Sequence, residues 1–103
     1  MGESTKTVES SSTETVVKQG LMPLFWVVMH NDPVTTMEFV VDILMNSFEL
    51  DKERALEAMY RIHYNGLERI VLMPLERAEF KAESVHRLAR AQGFPLTCTL
   101  EPE

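Results

Sequence analysis

The apolar positions of the chain begin with a short run, LFWVVM at 24–29, followed by the turn-forming residues HNDP at 30–33. A β-branched and aromatic run that ends in turn chemistry predicts a strand over 24–30. Apolar residues then recur at steps of three and four, which is the helical period. Thr35 stands three residues before Glu38, the spacing of a capping box, and we predict a first helix over about 36–48.

The same alternation of elements continues to the end of the chain. Asp51 is placed to cap a second helix, whose apolar stripe runs to His63, and Gly66 suits a left-handed helix end. Near the carboxyl terminus, apolar residues alternate with threonines, which predicts a strand with one polar face. The later elements are predicted as a strand over 67–73, a helix over about 75–92 and a strand over 96–100.

The order strand, helix, helix, strand, helix, strand favours an α+β fold. We expect three helices on one side of a small, three-stranded, mainly antiparallel sheet. Residues 1–20 differ from the rest, since they hold eight Ser or Thr and no aromatic residue. Such a stretch buries too little apolar surface to offset its ordering entropy. We therefore predict a disordered amino-terminal tail over 1–20 and one folded domain over 21–103.

Composition and charge exclude several function classes. The 103 residues carry a net charge of −6, which disfavours nucleic acid and anionic membranes as partners. No apolar run approaches the ~18 residues of a membrane span, and the first residues lack the layout of a secretion signal. A single cysteine, Cys98, forms no internal disulfide, which fits a reducing cytoplasm. We expect a cytoplasmic protein, and a monomer because no broad apolar patch is evident.

The sequence gives little support for a histidine metal site or for a catalytic cysteine. The three histidines, His30, His63 and His86, have no i, i+4 spacing that would place two imidazoles on one helix face, so a metal site is not expected. Cys98 lies on the apolar face of a predicted strand, where a free cysteine is usually inert core. We expect no cofactor.

The cluster that stands out is Asn31 and Asp32 together with His63. If the second helix packs beside the first, His63 approaches the turn at 31–32. These residues either build the turn and the surface, or supply three hydrogen-bond acceptors for a primary ammonium group. The apolar residues nearby either form ordinary helix–helix core, which periodicity alone favours, or line a hollow beside the acceptors; they are Met37, Val40, Met59 and Ile62.

Three segments carry a family resemblance: WVVMHNDPVTTMEFVVDIL at 26–44, MYRIHYNG at 59–66 and FPLTCTLEPE at 94–103. Together they closely resemble the ClpS family, adaptors that deliver N-degron substrates to the Clp protease. The resemblance covers about residues 23–103. It implies an adaptor rather than an enzyme, which binds proteins whose first residue is Leu, Phe, Tyr or Trp. It also implies docking on the amino-terminal domain of a ClpA-type AAA+ unfoldase.

The resemblance carries over to individual positions. Asn31, Asp32 and His63 match the places that bind the substrate α-amino group. Glu76 and Lys81 fall at places associated with unfoldase docking. The places that line the side-chain pocket are matched by Thr35, Met37, Val40, Met59, Ile62 and Leu96.

Departures from the familiar family form concentrate in the turn after the first strand. Pro33, Val34 and Thr36 replace an acid, an aromatic residue and a proline, and Ile62 stands where a smaller Val is usual. None of these changes touches the three amine acceptors. Two alternatives remain open: a regulator that binds the unfoldase without reading N-degrons, and a small metal-dependent enzyme that uses the three histidines.

Overall fold

The computed structural model describes residues 22–103, and the six predicted elements are present there in the predicted order. None of the helices in this part of the chain is long and apolar enough to cross a membrane. The tail predicted over residues 1–20 lies outside the described residues. The elements are β1 (Leu24–His30), α1 (Met37–Asn46), α2 (Lys52–Asn65), β2 (Leu67–Pro74), α3 (Leu75–Ala91) and β3 (Thr97–Pro102).

The sheet has the strand order β2-β1-β3, and the central strand β1 pairs antiparallel with both neighbours. Val27 and Met29 on one face of β1 are fully buried, at 0% exposure, in a core that all three helices share. The register brings His30 opposite Leu67 on one side and Thr97 on the other. This arrangement confirms the predicted α+β fold, in which three helices pack against a three-stranded antiparallel sheet.

The cap of the first helix differs from the prediction. The capping box predicted for Thr35 and Glu38 is wrong, because Thr36 caps α1 by accepting a hydrogen bond from the Phe39 amide at 3.1 Å. The hydroxyl of Thr35 instead donates to the carboxylate of Asp32 at 2.7 Å. The turn after β1 recruits this threonine, so the helix begins one residue later than the box implies. The cap predicted for α2 is confirmed: Asp51 accepts from the Arg54 amide at 2.8 Å.

The single cysteine is part of the core. Cys98 is 4% exposed, and burial raises the pKa of its thiol to about 12. Its backbone N–H donates to Nε2 of His86 at 2.9 Å, so this histidine serves the main chain of β3. A protonated, buried thiol is a poor nucleophile. The environment therefore supports the expectation that Cys98 is structural.

Gly66 connects the end of α2 to the turn after β1. Its φ of 91° gives the left-handed conformation predicted for this helix end, and its N–H donates to the Ile62 carbonyl at 2.9 Å. Its own carbonyl accepts a hydrogen bond from the Asn31 N–H, also at 2.9 Å. Only a residue that tolerates positive φ completes both bonds without strain.

We expect Gly66→Ala to lower the free energy of unfolding by about 1 kcal/mol, the cost of a left-handed Ala. A Cβ at this position has no atom within 4 Å, so the loss is conformational rather than a clash. Urea unfolding followed by circular dichroism measures it. Asn65→Ala, one residue earlier and within the helix, is the matched control and should stay within about 0.5 kcal/mol of wild type. An equal stability of the two variants would contradict the argument.

Candidate functional site

A cavity of about 520 Å³ opens between the turn after β1 and the two helices α1 and α2. Its size falls within the range of small-ligand sites. Eight residues that the sequence singled out for amine or side-chain binding line it together, and Pro33 joins them. The lining residues are Asn31, Asp32, Pro33, Thr35, Met37, Val40, Met59, Ile62 and His63.

Leu96 is the predicted pocket residue that does not line this cavity. Its side chain is 1% exposed and belongs to the core. Its carbonyl accepts a hydrogen bond from Nη1 of Arg90 at 2.8 Å, and the same nitrogen donates to the carbonyl of Phe94 at 2.9 Å. Arg90 thus fixes the loop before β3, and Leu96 lies in the packing rather than at the cavity surface.

Asp32 organises the turn through its carboxylate. Its Oδ1 accepts from the amides of Val34 and Thr35, at 2.8 and 2.7 Å, and its Oδ2 accepts from the Thr35 hydroxyl. These three bonds hold the side chain in one orientation. A carboxylate has about four acceptor positions, so Oδ2 keeps capacity for one further donor.

The same contacts keep Asp32 ionised. Burial alone raises the pKa of this carboxyl, but the hydrogen bonds from Thr35 and Val34, with the nearby charge of Arg90, outweigh it and lower the pKa below its usual value. Hydrogen bonds to the charged form of an acid favour that form. Asp32 therefore presents a fixed negative charge at the cavity rim near neutral pH.

Asn31 and His63 complete the polar rim from two different elements. Asn31 follows β1, and its backbone is held by the bond to Gly66. His63 lies in the last turn of α2, and its ring packs edge-on against Tyr64, with centroids 4.9 Å apart. Both side chains are exposed to solvent. An amide oxygen and a neutral imidazole nitrogen are both acceptors, so three acceptor groups surround one opening.

The base of the cavity is apolar. Val40, Met59 and Ile62 are 7%, 5% and 2% exposed, and they come from facing sides of α1 and α2. Met37, at 41% exposure, stands nearer the opening. Val40, Met59 and Ile62 thus belong to the helix–helix core and also line the hollow. A ligand that carries a cationic group beside an apolar side chain matches this distribution.

Pro33 is the lining residue that the sequence did not predict as part of the site. The family resemblance marks Pro33 only as a departure, a proline in place of an acid, and its side chain has no polar group that would suggest amine binding. Its adjacency to Asp32 was the available signal. Pro33 lacks an N–H and has a fixed φ, so it stiffens the turn next to the charged rim.

A second cavity, of about 590 Å³, lies between the end of α1, strand β2 and the start of α3. Both predicted docking residues, Glu76 and Lys81, line it. Nζ of Lys81 donates to the Ser47 carbonyl at 2.6 Å and lies 5.8 Å from the centre of the Phe48 ring. These contacts hold Lys81 in the wall of the cavity that Glu76 also lines. The first and second cavities have no lining residue in common.

The three histidines do not come together as a metal site. His30 donates to or accepts from the Thr99 hydroxyl at 2.7 Å, while His86 binds the backbone of Cys98 and His63 lies at the cavity. Within residues 22–103, no three His, Cys, Asp or Glu side chains are close enough to hold a metal ion.

Comparison with known proteins gives a consistent family. The family model described as "ATP-dependent Clp protease adaptor protein ClpS" matches residues 21–99. The ClpS adapter protein of Desulforapulum autotrophicum is 44% identical over 92% of this chain and 91% of its own length. That of Desulfatibacillum aliphaticivorans is 42% identical over 88% of each chain. The solved structure of Agrobacterium tumefaciens ClpS2 bound to L-phenylalaninamide superposes with a TM-score of 0.76 at 33% identity, covering 79% of this chain and 98% of that one.

We expect Thr35→Val to raise the pKa of the Asp32 carboxyl, because the substitution removes the hydroxyl donor to Oδ2 and leaves both amide bonds. A carboxyl whose pKa is lower in the folded state than in the unfolded state stabilises the fold at pH values above its unfolded-state pKa. This stabilisation is lost as the pH falls through the folded-state pKa. The Thr35→Val variant should therefore lose this stabilisation at a higher pH than wild type. Carbon-13 NMR of the side-chain carboxyl during acid titration measures the pKa.

Thr97→Val is the matched control, since the Thr97 hydroxyl donates to the Pro95 carbonyl and not to Asp32. It should leave the Asp32 titration where it is in wild type. An unshifted Asp32 pKa in Thr35→Val would show that the two amide bonds alone set the titration.

Proposed function

This chain belongs to the ClpS family of Clp protease adaptors, proteins that are not enzymes, and we propose that it captures N-degron substrates. The proposed ligand is a protein whose first residue is Leu, Phe, Tyr or Trp. Agrobacterium tumefaciens ClpS2 is described as bound to L-phenylalaninamide, which combines a free α-amino group with a phenylalanine side chain. The same combination fits the cavity at the end of α2.

One observation carries the proposal. Asn31, Asp32 and His63 line the same cavity as the buried side chains at its base. An α-ammonium group has three N–H donors, and three acceptor groups stand at the rim. The α-carbon bears both the ammonium and the side chain, so the side chain enters the apolar hollow while the ammonium stays at the rim. An internal residue has no such ammonium, and a lysine carries its ammonium on a long stem.

The energetics suit an adaptor that must release what it binds. Each charge-assisted hydrogen bond contributes roughly 1.5–3 kcal/mol, and a buried Leu or Phe side chain contributes about 1.5–3 kcal/mol. Two or three such bonds with one buried side chain sum to roughly 5–12 kcal/mol, and the cost of association, at least about 4 kcal/mol, is subtracted from this. Neither contribution is sufficient alone, so recognition requires both features in one residue. The net charge of −6 further favours a cationic chain end.

Delivery requires a second contact, which we assign to the cavity that Glu76 and Lys81 line. We propose that this surface docks on the amino-terminal domain of a ClpA-type AAA+ unfoldase. Lys81 is already held by Ser47 and lies near Phe48, so little side-chain entropy remains to be lost on binding. Because the two cavities share no residue, cargo and unfoldase are able to bind at the same time.

Titration with peptides that differ only at residue one tests substrate capture. Phe-first and Leu-first peptides should bind at least tenfold more tightly than an Ala-first peptide, a difference of about 1.4 kcal/mol. Acetylation of the amino terminus should abolish binding, because it removes the positive charge. Fluorescence anisotropy with labelled peptides measures these affinities. Equal binding of Phe-first and Ala-first peptides would overturn the proposal, and unfoldase binding with a flat peptide titration would favour the regulator instead.

Two variants of Asp32 separate its charge from its role in the turn. Asp32→Asn keeps an oxygen for the amides of Val34 and Thr35 but removes the charge, and we expect it to weaken Phe-first peptide binding by at least ~2 kcal/mol. Asp32→Ala should lose at least as much and also destabilise the fold.

Docking is tested by a charge reversal on α3. Glu76→Lys should weaken binding of the unfoldase amino-terminal domain at least tenfold, about 1.4 kcal/mol, because it reverses a charge at the centre of the proposed contact. Its affinity for Phe-first peptides should not change. Glu79→Lys is the matched control: it alters the same charge on the same helix, but Glu79 does not line the second cavity. Isothermal titration calorimetry measures both interactions, and equal losses in the two variants would refute the assignment.

A further inference from the structure

A further cavity, of about 610 Å³, lies at the end of the sheet where β1 begins and β2 ends. The pairing of Leu24 with Pro74 is the last of the ladder there, so the two strands give no cover beyond it. Five of the seven lining residues are apolar. We call this cavity the Leu75 groove, and its lining residues are Met22, Pro23, Phe25, Pro74, Leu75, Glu76 and Arg77.

Leu75 is a large apolar residue of this groove that the core does not use. It begins α3, is 41% exposed and lies outside the core cluster. It precedes the buried Ala78 by three residues, so it continues the apolar stripe of the helix one turn past the core. Together with the apolar walls of the groove it forms a concave apolar surface, which is typical of a contact site for another molecule.

The Leu75 groove is continuous with the second cavity. Glu76 and Arg77 line both cavities, and both side chains are exposed. Within residues 22–103, neither of them forms an ion pair. An apolar centre with charged residues at its exposed rim is the usual anatomy of a contact between proteins. A partner that docks on the second cavity therefore lies next to the groove.

We infer that the Leu75 groove receives a large apolar side chain of the same unfoldase domain that docks on the second cavity. The inference rests on the proposed docking and adds an apolar contact to it. The shared charges of Glu76 and Arg77 orient the partner, whereas burial of Leu75 removes apolar surface from water and strengthens the complex. The partner must then present an apolar side chain close to charged residues, and charge alone is not sufficient for docking.

Calorimetric titration of the full chain with the unfoldase amino-terminal domain tests the contact. We expect Leu75→Ser to weaken binding about tenfold, because the exposed part of one leucine is lost from the contact. Apolar burial makes the heat capacity change of binding negative, so titrations at several temperatures should give a less negative value for this variant. Leu88→Ser is the matched control and should bind as wild type does, since Leu88 is 47% exposed on the same helix but lines neither cavity.

A second variant tests the groove without altering α3. Met22 lines the groove but precedes β1 and lies outside the described helices and strands. Met22→Ser should weaken binding of the unfoldase domain about threefold or more, because it removes another apolar contact. Circular dichroism should show that this variant folds as wild type does, so it carries the test even if Leu75→Ser destabilises its helix.

The outcomes separate this inference from the docking on which it rests. If Glu76→Lys weakens binding while Leu75→Ser and Met22→Ser bind as wild type does, the groove contact is wrong and the docking assignment stands. If none of the three variants weakens binding, both are wrong. Tighter binding by Leu75→Ser would show that a segment of this chain covers the groove. A dimeric wild type that Leu75→Ser makes monomeric, measured by light scattering, would assign the groove to a second copy. Either result overturns the inference.

Discussion

The hydrogen bond from the Asn31 N–H to the Gly66 carbonyl is the interaction on which the rest of the site depends. It joins the residue after β1 to the residue after α2, two points far apart in sequence. The pairing of His30 with Leu67 lies next to it and fixes the same register. Because of this join, His63 on a helix faces the same opening as Asn31 and Asp32 on a turn.

Asp32 combines its structural role in the turn with the binding role that we propose for it. Its carboxylate accepts three hydrogen bonds from the turn that it begins, and those bonds also keep it charged. A charged group already held in one orientation pays little further entropy when a ligand arrives. The recruitment of Thr35 to this network explains why α1 begins at Met37 with Thr36 as its cap. The hydrogen bonds of the turn, rather than the capping-box pattern in the sequence, therefore determine where α1 begins.

The fold was predictable from the sequence because each element carries its own signal. A β-branched and aromatic run followed by a turn predicts β1, Asp51 and Gly66 predict the ends of α2, and the structure confirms these elements. The site was less predictable, since the meeting of His63 with Asp32 depends on strand register and a helix end rather than on spacing. The resemblance to a family supplied that link. It could not supply the packing of Leu96, whose depth depends on the loop that Arg90 holds.

Helix α1 explains how one small domain holds two separate cavities. Residues at its start, Met37 and Val40, line the first cavity, while Ser47 and Phe48 just beyond its end line the second. Ten helical residues span about 15 Å, so the two cavities lie near opposite ends of one helix. The helix packs through a tightly buried face that includes Leu44, so a rigid body connects the sites. A rigid helix fixes the distance between the two cavities, which is what the proposed delivery of a bound protein requires.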